Sequence, residues 1–146
     1  MNFGRIAAAA VVAWIVSLPL GYLVNDVLLA DITAANAAVM RPEAQIMANL
    51  PLGFAVLLLG FFAFAYAYAK GYEGGSGVAE GARFGALVAV VVCGFGLIWQ
   101  YVIYPINGSY VVAIMIDSII ELSIYGAIVG AIYRPVTANV GRNAAV

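Results

Sequence analysis

Asp117 and Glu121 stand four residues apart inside an otherwise apolar run from Tyr110 to Tyr133. If that run is a helix, the two carboxyl groups share one face, and Tyr125 and Ile128 continue the stripe. Counted from Tyr110 they lie about 10 and about 16 Å along the axis. Glu121 therefore falls close to the midplane of a bilayer whose apolar core is about 30 Å thick. An acid at the centre of a span costs about 2.5–3.5 kcal/mol, so the pair costs about 5–7 kcal/mol. The Ile, Val, Leu and Met residues of the same run contribute about 4–6 kcal/mol in the other direction. The two sums nearly cancel, and a face carrying both acids needs partners, protonation or water.

Two readings of that face stay open. Intramembrane carboxylates mark ion and proton pathways. Alternatively the acids form a polar seam with Gln100, at a similar depth on the preceding run, with Ser118, or with a tyrosine such as Tyr125. Arg83 lies near the opposite end of its own run, too far away to pair with Asp117.

Little else in the sequence is equipped for chemistry. The absence of histidine excludes His-ligated haem, the HExxH zinc site and the Glu-x-x-His di-iron site. The single Cys93 sits in an apolar run and reads as a small buried hydrophobe. With no Ser-His, Cys-His or metal constellation, no catalytic residue, metal or cofactor is expected, and the chain is not expected to be an enzyme. The glycine-rich loop 71–77 lacks the Gly-Lys-Ser/Thr ending of a phosphate-binding loop and is flanked by Glu73 and Glu80. It reads as a flexible turn. Asn107-Gly108-Ser109 matches a glycosylation pattern but reads as turn chemistry, closing a hairpin between the third and fourth runs.

The elements that position these residues follow from composition. The chain is 66% hydrophobic and 9% charged, against about 45–50% and about 25% for an ordinary soluble domain. A soluble fold of 146 residues has too little interior to hide that much apolar surface, so lipid is the expected solvent. A net charge of −1 gives no basic field for nucleic acid. Apolar runs predict an all-α membrane bundle of about four spans in a single domain, 1–146, at about 4–24, 51–69, 81–104 and 110–133. Arg5 before the first run also fits a signal peptide. That run is longer than such a segment needs, however, and the small-residue pattern Ala35-Asn36-Ala37 lies well downstream, so a retained span is expected.

With the N-terminus inside, Arg5, Lys70, Arg83, Arg134 and Arg142 fall on the cytoplasmic side and only Arg41 outside, predicting both termini in. Tyr22, Tyr101, Tyr104 and Tyr110 would then form an outer aromatic belt, and Tyr66, Tyr68, Tyr72 and Tyr133 an inner one. The long connection 25–50 mixes Asp26, Asp31, Arg41 and Glu43 with apolar residues, and Pro42 and Pro51 bracket its second half. It suits an interfacial helix between spans one and two, or an extension of the first span.

Gly126 and Gly130 form one G-x-x-x-G pair and Gly81 and Gly85 another, the spacing that lets helices approach closely. The glycine face of the fourth run lies nearly opposite its carboxylate face, so that helix has reason to contact protein on both sides. A homo-oligomer or a complex with other membrane subunits is expected on this ground, with packing inside one chain as the alternative.

Asn2-Phe3-Gly4-Arg5 opening the first run, Asn25-Asp26-Val27-Leu28-Leu29 closing it, Glu80-Gly81-Ala82-Arg83-Phe84-Gly85 opening the third, and Glu121-Leu122 in the last form a set. On these short motifs the chain resembles small four-helix bacterial membrane proteins grouped as a domain of unknown function. The resemblance implies a bacterial inner-membrane location and carries over no catalytic residue. The expected role is that of a non-enzymatic accessory or structural subunit of a membrane assembly. The alternative is a small proton-linked transporter or channel using Asp117 and Glu121.

Overall fold

A computed structural model describes residues 1–133; Arg134 and Arg142, two of the bases used for orientation, lie outside the described residues. Every regular element among the described residues is helical. In chain order they are α1 (Phe3–Leu28), the short α2 (Ala30–Ala34), α3 (Glu43–Gly71), α4 (Gly77–Ile103) and α5 (Gly108–Ile132). Four of them, α1, α3, α4 and α5, are long and apolar enough to cross a membrane, as the spans of a multi-pass membrane protein are.

The helix ends follow local chemistry. Asn2 caps α1, its Oδ1 accepting from the Arg5 N–H at 3.1 Å, which satisfies one of the donors a first turn leaves open. Pro19 has no N–H to give to the turn before it. Shortly beyond it α1 widens into a π-helical turn over Leu23–Leu28, which the Leu29 N–H closes by donating to the Val24 carbonyl. A second π turn, Cys93–Leu97, interrupts α4 where Gly94 and Gly96 fall.

The second span departs from the hydropathy reading. It begins at Glu43, not Pro51, and runs through Pro51 without a break. Glu43, Gln45 and Asn49 are too polar to count as apolar run, yet nothing in them opposes a helix. A proline inside a span is tolerated when neighbouring groups satisfy the carbonyl it frees. The connection ahead of α3 is correspondingly shorter and holds α2 and a 3-10 turn, Ala37–Val39. Asn36, buried there, donates to the Ile32 carbonyl at 2.9 Å. Its Oδ1 accepts from the Asn107 N–H at 2.8 Å, so this one side chain ties the first connection to the tight turn before α5.

α5 is the centre of the bundle. α4 packs along one side of it and α1 along another, while α3 packs mainly on α1 and also meets α5. α1 turns a small-residue stripe inward, Ala9, Ala10, Ala13 and Ser17, all buried. The α4–α5 seam is closer still. A methyl group added at Gly81 would overlap the Gly126 carbonyl oxygen, one at Gly85 the Leu122 carbonyl oxygen, and one at Gly130 the Gly77 carbonyl oxygen. The two glycine pairs thus face one another across an antiparallel seam within the chain, where only glycine lets the backbones come so near.

Three of the four tyrosines assigned to the inner belt pack partly or wholly inside. Tyr68 and Tyr133 are buried, Tyr72 is half-buried, and Phe84 completes an aromatic cluster of tilted and edge-on rings with centroids 5.6–6.3 Å apart. The Tyr68 hydroxyl finds its partner in the Gly77 carbonyl at 3.1 Å. Buried tyrosines need such a partner, and the first residue of α4 supplies one. Tyr66 is exposed.

Candidate functional site

Asp117 and Glu121 lie on the side of α5 that meets α1, yet they open into different spaces. Asp117 lines a cleft of about 420 Å³ with Leu20, Val24 and Leu28 of α1. Glu121 and Tyr125 line a second cleft, of about 430 Å³, with Ser17, Gly21 and Asn25 on the neighbouring stripe of α1 and with Phe54 and Leu57 of α3. The π turn of α1 borders both. Asp117, Glu121 and Tyr125 stand at successive fourth positions of α5, on one stripe of the helix. The Glu121 Oε1 is buried and has no hydrogen-bond partner among the described residues.

The second cleft is the more polar of the two. Asp26 sits at its α1 end, and Asn25 turns its amide back to the Gly21 carbonyl at 3.0 Å. Ser17 donates to the Trp14 carbonyl at 2.7 Å, and Trp14 donates through Nε1 to the Phe54 carbonyl at 3.1 Å. The first hydrogen bond is internal to α1 and the second pins α1 to α3, which fixes the walls around Glu121. Towards the α3–α4 loop the cleft is closed by apolar packing. Tyr125 stands edge-on to Phe61 with centroids 5.1 Å apart, and Ala65 and Val129 are fully buried beyond them.

The other residues singled out in the sequence fall elsewhere. Gln100 is exposed and lines a separate recess with Tyr104, Ile106 and Tyr110, away from both acids. Arg83 is exposed on α4. Gly81, Gly85, Gly126 and Gly130 form the α4–α5 seam already described. Sequence reasoning passed over Ser17, Gly21 and Asn25 as site residues. Their signal was available as a polar or small residue at every fourth position of an apolar helix, which places them on one stripe.

The glycine-rich loop is occupied by the chain itself. The Glu80 carboxylate accepts from the Glu73 N–H at 2.6 Å and the Gly75 N–H at 3.0 Å. Gly74, at φ +90°, provides the left-handed turn that points these donors inward. The anion in this small cradle is thus Glu80.

Comparison of the chain with protein-family models, with curated proteins and with solved structures gives no match.

Proposed function

We propose that the chain is a non-enzymatic accessory or structural subunit of a membrane assembly, docking a second copy or another membrane protein through the far half of α4. The observation that carries this reading is the exposed π turn Cys93–Leu97. Phe95 is 85% exposed, and apart from the helix's own neighbouring backbone no described residue comes within 4 Å of where a Cβ would stand at Gly94 or Gly96. A helical glycine is less favourable than alanine by about 0.8–1.0 kcal/mol, and packing inside the chain does not account for these two. Close approach of a neighbouring helix does, and π turns recur at functional positions. The earlier ground for association, that α5 needs protein on two faces, is met within the chain by α4 and α1.

The same reading has both termini on the cytoplasmic side of a bacterial inner membrane, as the Lys/Arg bias and the resemblance imply, with 25–42 in the outer interface. Cysteines placed at Ser76 and at Ala37 in a Cys93→Ala background test the topology. They are expected to label from opposite sides, and labelling from one side ends the four-span account.

One observation favours a second reading, a small proton-linked transporter. The Glu121 Oε1 is buried, with no hydrogen-bond partner among the described residues, beside a cleft that α1 and α3 leave open. The closed packing of Phe61, Tyr125 and Val129 speaks for the subunit, because it seals that cleft from the other end of the bundle. Purification in mild detergent with mass measurement decides between them. A stoichiometric protein partner supports the subunit, and a chain that purifies alone and dissipates a proton gradient in liposomes overturns it.

A further inference from the structure

The polar cleft between α1, α3 and α5 holds about 430 Å³, within the about 300–1,000 Å³ of sites that take drug-sized molecules. Two carboxyl groups line it, Glu121 from the middle of α5 and Asp26 from the last turn of α1. Ser17 and Asn25 set the length of the α1 wall between them at about 12 Å. Three aromatic residues, Tyr22, Phe54 and Tyr125, share the lining with leucines of α1 and α3. Apart from the helix's own neighbouring backbone, no described residue comes within 4 Å of where a Cβ would stand at Gly21, so the middle of the α1 wall is left unfilled.

The lining is matched to positive charge. The Ser17 hydroxyl donates its one proton to the Trp14 carbonyl, and Asn25 turns its amide to the Gly21 carbonyl. What these two side chains leave for an occupant is mainly oxygen lone pairs. The Glu121 Oε1 is buried, with no hydrogen-bond partner among the described residues. No base among the described residues lines the cleft. Arg5 lies in the first turn of α1, and Lys70 and Arg83 flank the α3–α4 loop, all at the end of the bundle away from Asp26. Arg41 stands at the near end, but Asp31 and Glu43 are its neighbours there, and with Asp26 this end carries three acids to one base. Aromatic faces attract cations through the ring quadrupole, organic ammonium groups included, and carboxylates inside a membrane call for a partner of opposite charge.

We propose that this cleft binds a lipophilic organic cation, its charge between Glu121 and Asp26 and its apolar body against Tyr22, Phe54 and Tyr125. The occupant is organic and not a metal ion. Among the described residues no three of His, Cys, Asp and Glu are grouped to hold a metal, and a bare ion would make no use of the rings and leucines.

Equilibrium binding of tetraphenylphosphonium and of tetraphenylborate to the whole chain in mild detergent tests this, because the two probes share size and shape and differ in the sign of charge. The wild type is expected to bind the phosphonium saturably and the borate not at all. Glu121→Gln keeps the side-chain volume and should weaken phosphonium binding about thirtyfold or more, as loss of one partner of a desolvated charge pair does. Gly21→Leu fills the cleft, leaves both acids in place and should abolish binding. Asp117→Asn, in the neighbouring cleft, should leave it within about twofold, the change expected of a charge outside the site. Equal binding of the two probes by the wild type overturns the proposal, and that comparison needs no variant to fold. So does unchanged phosphonium binding in Glu121→Gln or Gly21→Leu, or a loss in Asp117→Asn as large as that in Glu121→Gln. Displacement of the phosphonium by phosphatidylethanolamine would make the occupant a lipid headgroup and overturn it as well.

Discussion

Replacing Gly126 by alanine adds one methyl group at the centre of the α4–α5 seam, where it would overlap the Gly81 carbonyl oxygen and crowd the Gly85 nitrogen, 3.0 Å away. Neither is the end of a flexible side chain, so relief requires moving one helix away from the other. Gly85 and Gly130 sit on the same seam, and opening it at one point loosens contact along its length. Overpacking costs about 1–3 kcal/mol, and a backbone-against-backbone overlap belongs at about 3 kcal/mol. Alanine's better helix propensity offsets about 1 kcal/mol, leaving a net loss of about 2 kcal/mol. Gly81→Ala should cost a similar amount, since it meets the Gly126 carbonyl from the other side. The double variant should lose less than the sum, because the seam opens once for both. Gly53→Ala, with nothing within 4 Å of the new methyl, is the control and should be neutral or slightly stabilising. Equilibrium unfolding in mixed micelles with increasing dodecyl sulfate reads all four. Gly126→Ala unfolding together with Gly53→Ala and the wild type would refute the close seam.

Tyr68→Phe removes the hydroxyl that donates to the Gly77 carbonyl and leaves the aromatic cluster intact. A loss of about 0.5–1.5 kcal/mol is expected in the same unfolding assay, and an unchanged midpoint would mean the bond contributes nothing. Glu80→Gln weakens two charge-assisted hydrogen bonds to the loop. Amide hydrogen exchange at Glu73 and Gly75 should speed up, while exchange in the middle of α5 stays as in the wild type; equal protection at both loop amides would contradict the cradle.

The four spans were legible because lipid imposes a simple length and composition requirement on them. What hydropathy could not place was the start of α3. Pro51 resembles a boundary in sequence, but inside a span it is compatible with continuous helix, and the polar segment from Glu43 simply precedes the apolar one. Helical geometry also gave the opposition of glycine and carboxylate faces on α5. It did not give what each face meets, since a helical wheel carries no information about neighbours. Asp117 and Glu121 share a stripe, yet the π turn of α1 lies along that stripe and sets them in two clefts. Gln100 has a matching depth and still lies elsewhere, because rotation about α4 decides the matter and the second π turn changes that rotation. The Glu80 cradle was hidden for a different reason. A carboxylate beside a glycine-rich loop looks hostile to an anion site until it is recognised as the anion.

The subunit reading places protein, not lipid, against the exposed π turn of α4, and photo-crosslinking from position 95 in native membranes measures that contact most directly. A photoreactive residue replacing Phe95 is expected to yield a discrete protein adduct, either a second copy or another membrane protein. The same probe at Leu59, on the exposed side of α3, is expected to yield only lipid adducts. Lipid adducts alone from position 95 would contradict the account.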